Sequence, residues 1–285
     1  MSTAQTLEVR GYQVMQFLGS GARSTIWQIR NRRTDELFAL KRVVKRQASD
    51  VYFLQQAINE YNVGHRLNHP VVRHIYHIRR VKRWLSLREI HLVMELCNGY
   101  TIQEQRPKDV TEVVRVFIEV AKALTYMNAN GFVHADMKPN NIIVADDGTV
   151  KIIDLGQSCP MGAVKQRIQG TPDFIAPEQV HRHSLDARTD VFNLGASLYW
   201  TLTGRAIPTA LPKQNAATLI TDATLVPLTE INPDVPSPLV KLVNDSIQAN
   251  PSHRPGSMND VLSRLNLISH TLQSRKPGTQ DNRKP

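Results

Sequence analysis

The sequence predicts an α+β fold with the strands first and the helices after them. Period-two alternation broken by glycines and turn residues dominates the first hundred residues, and a 3.6-residue apolar period dominates the remainder of the chain. The 285 residues, 41% hydrophobic and 21% charged, suffice for a large core in one domain or two lobes. A cleft is expected where a strand-rich part meets a helix-rich one.

Tyr12 to Leu18 alternates and runs into Gly19 and Gly21, after which Thr25 to Arg30 resumes in β-type residues. Asn31 to Asp35 is expected to turn the chain into a third strand, Leu37 to Val44. Ser49-Asp50 can cap a helix to about Arg66, because Val51, Leu54, Ile58, Tyr61 and Leu67 fall on one face. His91 to Leu96 is a short apolar strand ended by Asn98-Gly99. Asp109 and Glu112 have capping-box spacing, and Val110, Val113, Val114, Phe117, Ile118, Ala121 and Leu124 continue as an amphipathic helix that Gly131 stops. A buried helix is expected over Thr189 to Leu202 and a last one over Ser257 to Leu272. The predicted organisation is a strand-rich part at 12–97, a helical part at 98–272 and a disordered basic tail at 273–285.

Composition excludes several classes. No run of about 18 apolar residues occurs, so no membrane span is expected. Met1 to Arg10 lacks a basic stretch followed by an apolar one, so no secretory signal is expected. Cys97 and Cys159 belong to no metal-type cluster, and a reducing cytoplasm fits this usage. The net charge of +10 concentrates at Lys41-Arg42 with Lys45-Arg46, at Arg79-Arg80 with Lys82-Arg83, and in the tail. Such patches can attract nucleic acid, anionic lipid or an acidic protein, or simply form a solvated face. Aromatic residues are 6% and do not interleave with the basic clusters, so nucleic acid is not the favoured partner.

The chemistry-bearing segment is His134-Ala135-Asp136-Met137-Lys138-Pro139-Asn140-Asn141, followed by Asp154-Leu155-Gly156. Asp136 can accept the proton of a substrate hydroxyl, and Lys138 can place positive charge near a transferred phosphate. Asn141 and Asp154 offer the hard oxygen ligands that Mg²⁺ prefers. Upstream, Leu18-Gly19-Ser20-Gly21-Ala22-Arg23-Ser24-Thr25-Ile26 is a Gly-rich segment whose N–H groups can approach phosphate, although alone it reads more readily as an ordinary hairpin turn. Phe38-Ala39-Leu40-Lys41 puts a lysine in an apolar strand, which calls for an anionic partner such as a phosphate or Glu60, unless its amine reaches water. Gly170-Thr171-Pro172 leads to Ala176-Pro177-Glu178, and Asp190-Val191-Phe192-Asn193-Leu194-Gly195 and Asn250-Pro251-Ser252-His253-Arg254 lie downstream.

In this order the segments resemble the eukaryotic-type protein kinase family, serine/threonine branch, from Tyr12 to Leu272. The resemblance implies a two-lobed fold, an N-lobe antiparallel sheet with one helix over a mostly helical C-lobe, with ATP and Mg²⁺ (Mn²⁺ as a substitute) in the cleft below the Gly-rich loop. It assigns catalysis to Asp136, Lys138, Lys41 and Glu60, and the metal to Asn141 and Asp154. It assigns nucleotide contacts to Leu18, Gly19, Ser20, Gly21, Ser24 and Lys41, with Ile26, Ala39 and Ile143 around the adenine ring. Glu95 and Cys97 would form the hinge, and Met94 would gate the back of the pocket. Arg254 would pair with Glu178. Lys138 and Thr171 imply transfer to serine or threonine hydroxyls of protein substrates.

Ser24 replaces the third glycine of the family pattern, Ala135 the usual arginine and Leu155 the usual phenylalanine. Alanine cannot gather a phosphate on the activation loop, and Ser158 is the only hydroxyl between Gly156 and Gly170. Activity without activation-loop phosphorylation is therefore expected. The alternative is a pseudokinase scaffold that binds nucleotide without transferring phosphate, against which the presence of Lys41, Glu60, Asp136, Asn141 and Asp154 counts.

Overall fold

The computed structural model describes residues 7–21, 23–208 and 225–274. The chain divides into two compact units, Met1–Tyr100 with Ile143–Cys159, and Thr101–Ile142 with Pro160–Pro285.

The first unit is built on a five-stranded antiparallel sheet of β1 (Tyr12–Ser20), β2 (Ser24–Asn31), β3 (Leu37–Val44), β4 (Ile75–Arg83) and β5 (Ser86–Glu95), in the order β1-β2-β3-β5-β4. Helix α1 (Val51–Gly64) covers one face. Alternation along β3 decides what meets it: Ala39 and Val43 pack with Leu54 and Ala57 of α1 and with Ile75, Ile90, Leu92 and Met94, while Leu40 joins Ile29 and Val93 in a second cluster. Each fully buried Leu or Ile in these clusters stabilises the unit by roughly 1.5–3 kcal/mol. Lys41 shares the register of Ala39 and Val43 and so faces α1. The helix ends on Gly64, where a Cβ would stand 2.7 Å from Cδ1 of Ile75 and 3.3 Å from Cδ1 of Leu155. Only a bare backbone leaves room for both side chains.

Several expectations need adjustment. β4 is absent from the expected strands because four cations interrupt its apolar alternation; it is an edge strand, and the strand expected at His91 to Leu96 is the second half of its partner β5. Helix α1 stops before Arg66, and Asp50 does not cap it through its side chain. That carboxylate accepts instead from the N–H groups of Arg46 (2.8 Å) and Gln47 (3.0 Å) and from the Arg23 guanidinium (2.8 Å), which fixes the turn before the helix. The Arg23 hydrogen bond, with those two N–H groups, holds its pKa down at about 2. Residues 143–159, expected with the helical part, belong to the first unit.

The second unit contains α2 (Val110–Ala129), α3 (Pro177–Val180), α4 (Ala187–Thr203), α5 (Leu228–Ile231), α6 (Ser237–Ser246) and α7 (Met258–Ser274). Asp109 caps α2 by accepting from the Glu112 N–H at 2.8 Å, and the Glu112 carboxylate reaches back to the N–H of Lys108. α2 packs on α7 and α4, and α4 on α6. α4 is buried on every side from Thr189 to Tyr199, which makes it the central helix of this unit. It approaches α6 at Gly195, where a Cβ would lie 2.5 Å from Cβ of Ser246. α7 continues to Ser274, past the expected start of the tail, and the rest of that tail, residues 275–285, lies outside the described residues. No helix of the described residues is long and apolar enough to cross a membrane.

Candidate active site

In the first unit, Nζ of Lys41 lies 2.6 Å from Oε2 of Glu60 and 3.5 Å from Oδ1 of Asp154. Glu60 is buried, and its second oxygen lies 3.6 Å from the Arg73 guanidinium. Burial alone would push the Lys41 pKa down, but the Asp154 and Glu60 carboxylates outweigh it and hold the ammonium above its usual value. Asp154 sits in the left-handed region, φ 65°, and its Oδ1 accepts from the N–H of Gly156. Asn59 of α1 donates to the carbonyls of Gly156 (3.1 Å) and Ser158 (2.8 Å), tying that segment to the helix that carries Glu60.

The other candidate nucleotide residues also lie in this unit. Gly19 and Ser20 pair with Ile26 and Thr25 at the end of the β1–β2 hairpin, beside the exposed Leu18, and the N–H of Gly21 donates to the Ser24 carbonyl at 2.9 Å. A Cβ on Gly19 would meet nothing within 4 Å, so the backbone there can be approached closely. Met94, fully buried, pairs with Ala39, and Glu95 with Phe38. The Glu95 segment is held by reciprocal bonds with His74 (2.9 and 3.1 Å) and by an ion pair with Lys151. Cys97 is half-buried with its Sγ 3.8 Å from the Glu95 carbonyl, and Ile26 and Ile143 are half-buried.

In the second unit, Asp136, Lys138 and Thr171 form a closed triangle. Nζ of Lys138 donates to Oδ2 of Asp136 at 2.9 Å and to Oγ1 of Thr171 at 2.6 Å, and the threonine hydroxyl donates to Oδ1 of Asp136 at 2.9 Å. Asn141, also buried, donates through Nδ2 to the Asp136 carbonyl at 2.8 Å, which fixes its amide plane and leaves Oδ1 as the acceptor side.

Two supports of this loop have no role in the sequence reading, although Asp190 opens one of its segments. The buried Asp190 at the start of α4 accepts from the N–H groups of His134 (3.0 Å) and Ala135 (2.9 Å) and from Asn128 (3.0 Å). Burial raises its pKa above the usual carboxylate value although these donors oppose it. A carboxylate inside an otherwise apolar helix is the signal that points to it. Gln179 is the second. Its Nε2 donates to the carbonyls of Ala135 (2.7 Å) and Gln169 (3.2 Å), while its Oε1 accepts from the N–H of Ala176 and from Asn193. Ala135 itself is held at φ 60°, a strained backbone that these bonds over-determine. Below them Arg254 grips Glu178 with both arms, at 2.7 and 2.9 Å.

Of the residues expected to hold a metal, Asn141 lies in the second unit and offers an amide oxygen, and Asp154 lies in the first and offers a carboxylate. Each is a hard oxygen of the kind Mg²⁺ takes while keeping water and phosphate oxygens in its shell. Among the described residues, no cluster of three or more His, Cys, Asp or Glu is placed to hold a metal ion.

A family model described as "Protein kinase domain" matches residues 12–265. Among curated proteins, the chain is similar to a probable serine/threonine-protein kinase of Clostridium acetobutylicum, 26% identical over 91% of this chain and 40% of that protein. It is similar to serine/threonine-protein kinase PknL of Mycobacterium tuberculosis, 32% identical over 85% of this chain and 62% of that protein. It is also similar to PknA of the same species, 27% identical over 85% and 58%. The chain thus spans less than two thirds of the length of these relatives.

Proposed function

Because this chain belongs to the protein kinase domain family, we propose that it transfers the γ-phosphoryl group of ATP to serine or threonine hydroxyls of protein substrates. The observation that carries this reading is the Asp136–Lys138–Thr171 triangle. Asp136 accepts the proton of the acceptor hydroxyl as that oxygen attacks, and Thr171 and Lys138 hold one carboxylate oxygen each so that the base is aimed before substrate arrives. Lys138 also offsets negative charge on the transferred group. Lys41, kept charged and oriented by Glu60, holds the nucleotide phosphates. Asn141 and Asp154 would hold Mg²⁺, which when bound neutralises charge on the phosphate oxygens. The serine/threonine names of the relatives support the choice of acceptor.

The test is incubation with labelled ATP, Mg²⁺ and generic acidic or basic substrate proteins, beside an Asp136→Asn control. Transfer to serine or threonine by the parent, reduced about 10²- to 10⁴-fold in the control, is the expected result. A folded parent that binds ATP and transfers nothing would favour the scaffold.

The activity we propose needs no phosphate on the activation segment. Ser158, the only hydroxyl between Gly156 and Gly170, is buried. Support for that segment comes instead from the uncharged bonds of Gln179 to Ala135, Gln169 and Asn193. Phosphatase-treated protein should keep its full rate, and loss of activity on that treatment would refute the idea.

A further inference from the structure

The β4–β5 hairpin has no part in phosphoryl transfer, yet its tip is the most exposed apolar feature among the described residues. Trp84 is 92% exposed and Leu85 97%, whereas the next large apolar side chain, Leu267, is 68%. The two form the whole loop, since Arg83 pairs with Ser86. Trp84 adopts φ 57° while Leu85 is not in the positive-φ region, the pattern of a tight turn whose first loop position belongs to glycine. A tryptophan there is strained and packs against nothing, so folding does not explain it.

Cations surround the tip. Arg79, Arg80, Lys82 and Arg83 on β4 and Arg88 on β5 are exposed. None of the ion pairs among the described residues involves them. The N–H of Lys45 donates to the Arg88 carbonyl at 2.8 Å, which adds another cation to the same end of the sheet. The nearest acid along the strands, Glu89, is already engaged by Arg42 (2.7 and 2.8 Å) and His91 (2.9 Å).

We propose that this hairpin is a membrane-surface anchor: Trp84 and Leu85 enter the headgroup–acyl boundary of an anionic bilayer while the flanking arginines and lysine bind its phosphates and carboxylates. Tryptophan favours that boundary, a leucine beside it gains only from an apolar phase, and the cations stand at headgroup depth. A nucleic acid would use the cations and could stack on Trp84, but it gives Leu85 nothing to enter. The anchor is peripheral and independent of the phosphoryl-transfer reading.

The test is co-sedimentation of the full chain with phosphatidylcholine vesicles, without or with about one quarter phosphatidylserine. Binding is expected only to the anionic vesicles, with a blue shift of tryptophan emission, and should weaken as salt rises from about 0.05 M to about 0.5 M. Trp84→Gly, which relieves the turn, should melt no lower than the parent, lose the blue shift and bind about tenfold or more weakly. Each of Lys82→Gln and Arg83→Gln should weaken binding about fivefold, and transfer to a soluble substrate should be unchanged in all three variants. No binding to anionic vesicles at low salt overturns the proposal. So does binding that Trp84→Gly leaves intact, tighter capture by a DNA or RNA oligonucleotide than by vesicles, or a role of the tip in self-association alone.

Discussion

At Asp136, what matters is that both carboxylate oxygens are already engaged before any substrate is present. The Thr171 hydroxyl is the hinge of this arrangement, because it accepts from Lys138 and donates to Asp136 at once. Thr171→Val keeps the shape and removes both bonds. The expected outcome in steady-state kinetics is a kcat about ten- to a hundredfold lower, with KM for ATP nearly unchanged, because a charge-assisted hydrogen bond contributes about 1.5–3 kcal/mol and Lys41 is untouched. A KM effect of equal size would mean that Thr171 serves binding and not the base.

At the scale of elements, regular patterns are legible in the sequence and interrupted ones are not. β3 lies where its apolar run places it, and α2 follows its period from the cap onward. β4 is hidden because an edge strand needs only one buried row, which leaves its other positions free to carry charge. α6 is hidden too, since its apolar set, Leu239, Leu242 and Val243, is too short to show a period. Asp136, Lys138, Asn141 and Asp154 stand out in the sequence by residue type and order, and the expected nucleotide contacts follow only from the resemblance. Asp190 and Gln179, by contrast, act through backbone groups and were given no role by the sequence. The pairing of β3 with β5 adds a cross-strand interaction that pH can probe. Arg42 first, then His91, hold the Glu89 carboxyl at about 2, below its usual 4.5. A depressed acid stabilises the fold above its unfolded pKa and loses that contribution as pH falls through the folded one. Glu89→Gln should therefore be less stable than the parent near neutrality, and in urea titrations the gap should close between pH 4.5 and about 2. A gap independent of pH would contradict the assignment.

At the scale of the whole molecule, each unit has its own core and its own buried ion pair, and the pairs differ in kind. Lys41–Glu60 leaves the lysine 15% exposed and in reach of a third charge, as the proposed contact with nucleotide phosphates requires. Glu178–Arg254 is sealed: the arginine side chain is 0% exposed, bonds to the carbonyls of Arg188, Gln248 and Ala249, and lies 4.8 Å over the Phe192 ring. Arg254→Met would strand Glu178 without its partner, and chemical denaturation should show a loss of about 3–5 kcal/mol.

The bare backbone at Gly64 also limits which substitutions the chain can accept. Leu155 stands where this family usually carries phenylalanine; it is buried, and its Cδ1 lies 3.3 Å from where a Cβ on Gly64 would stand. Leu155→Phe should cost about 1–3 kcal/mol in a urea titration, although it restores the commoner residue. Growth at position 64 meets two side chains at once: a Cβ there would stand 2.7 Å from Cδ1 of Ile75 and 3.3 Å from Cδ1 of Leu155, so any larger residue at 64 would require Ile75 to be trimmed or shifted.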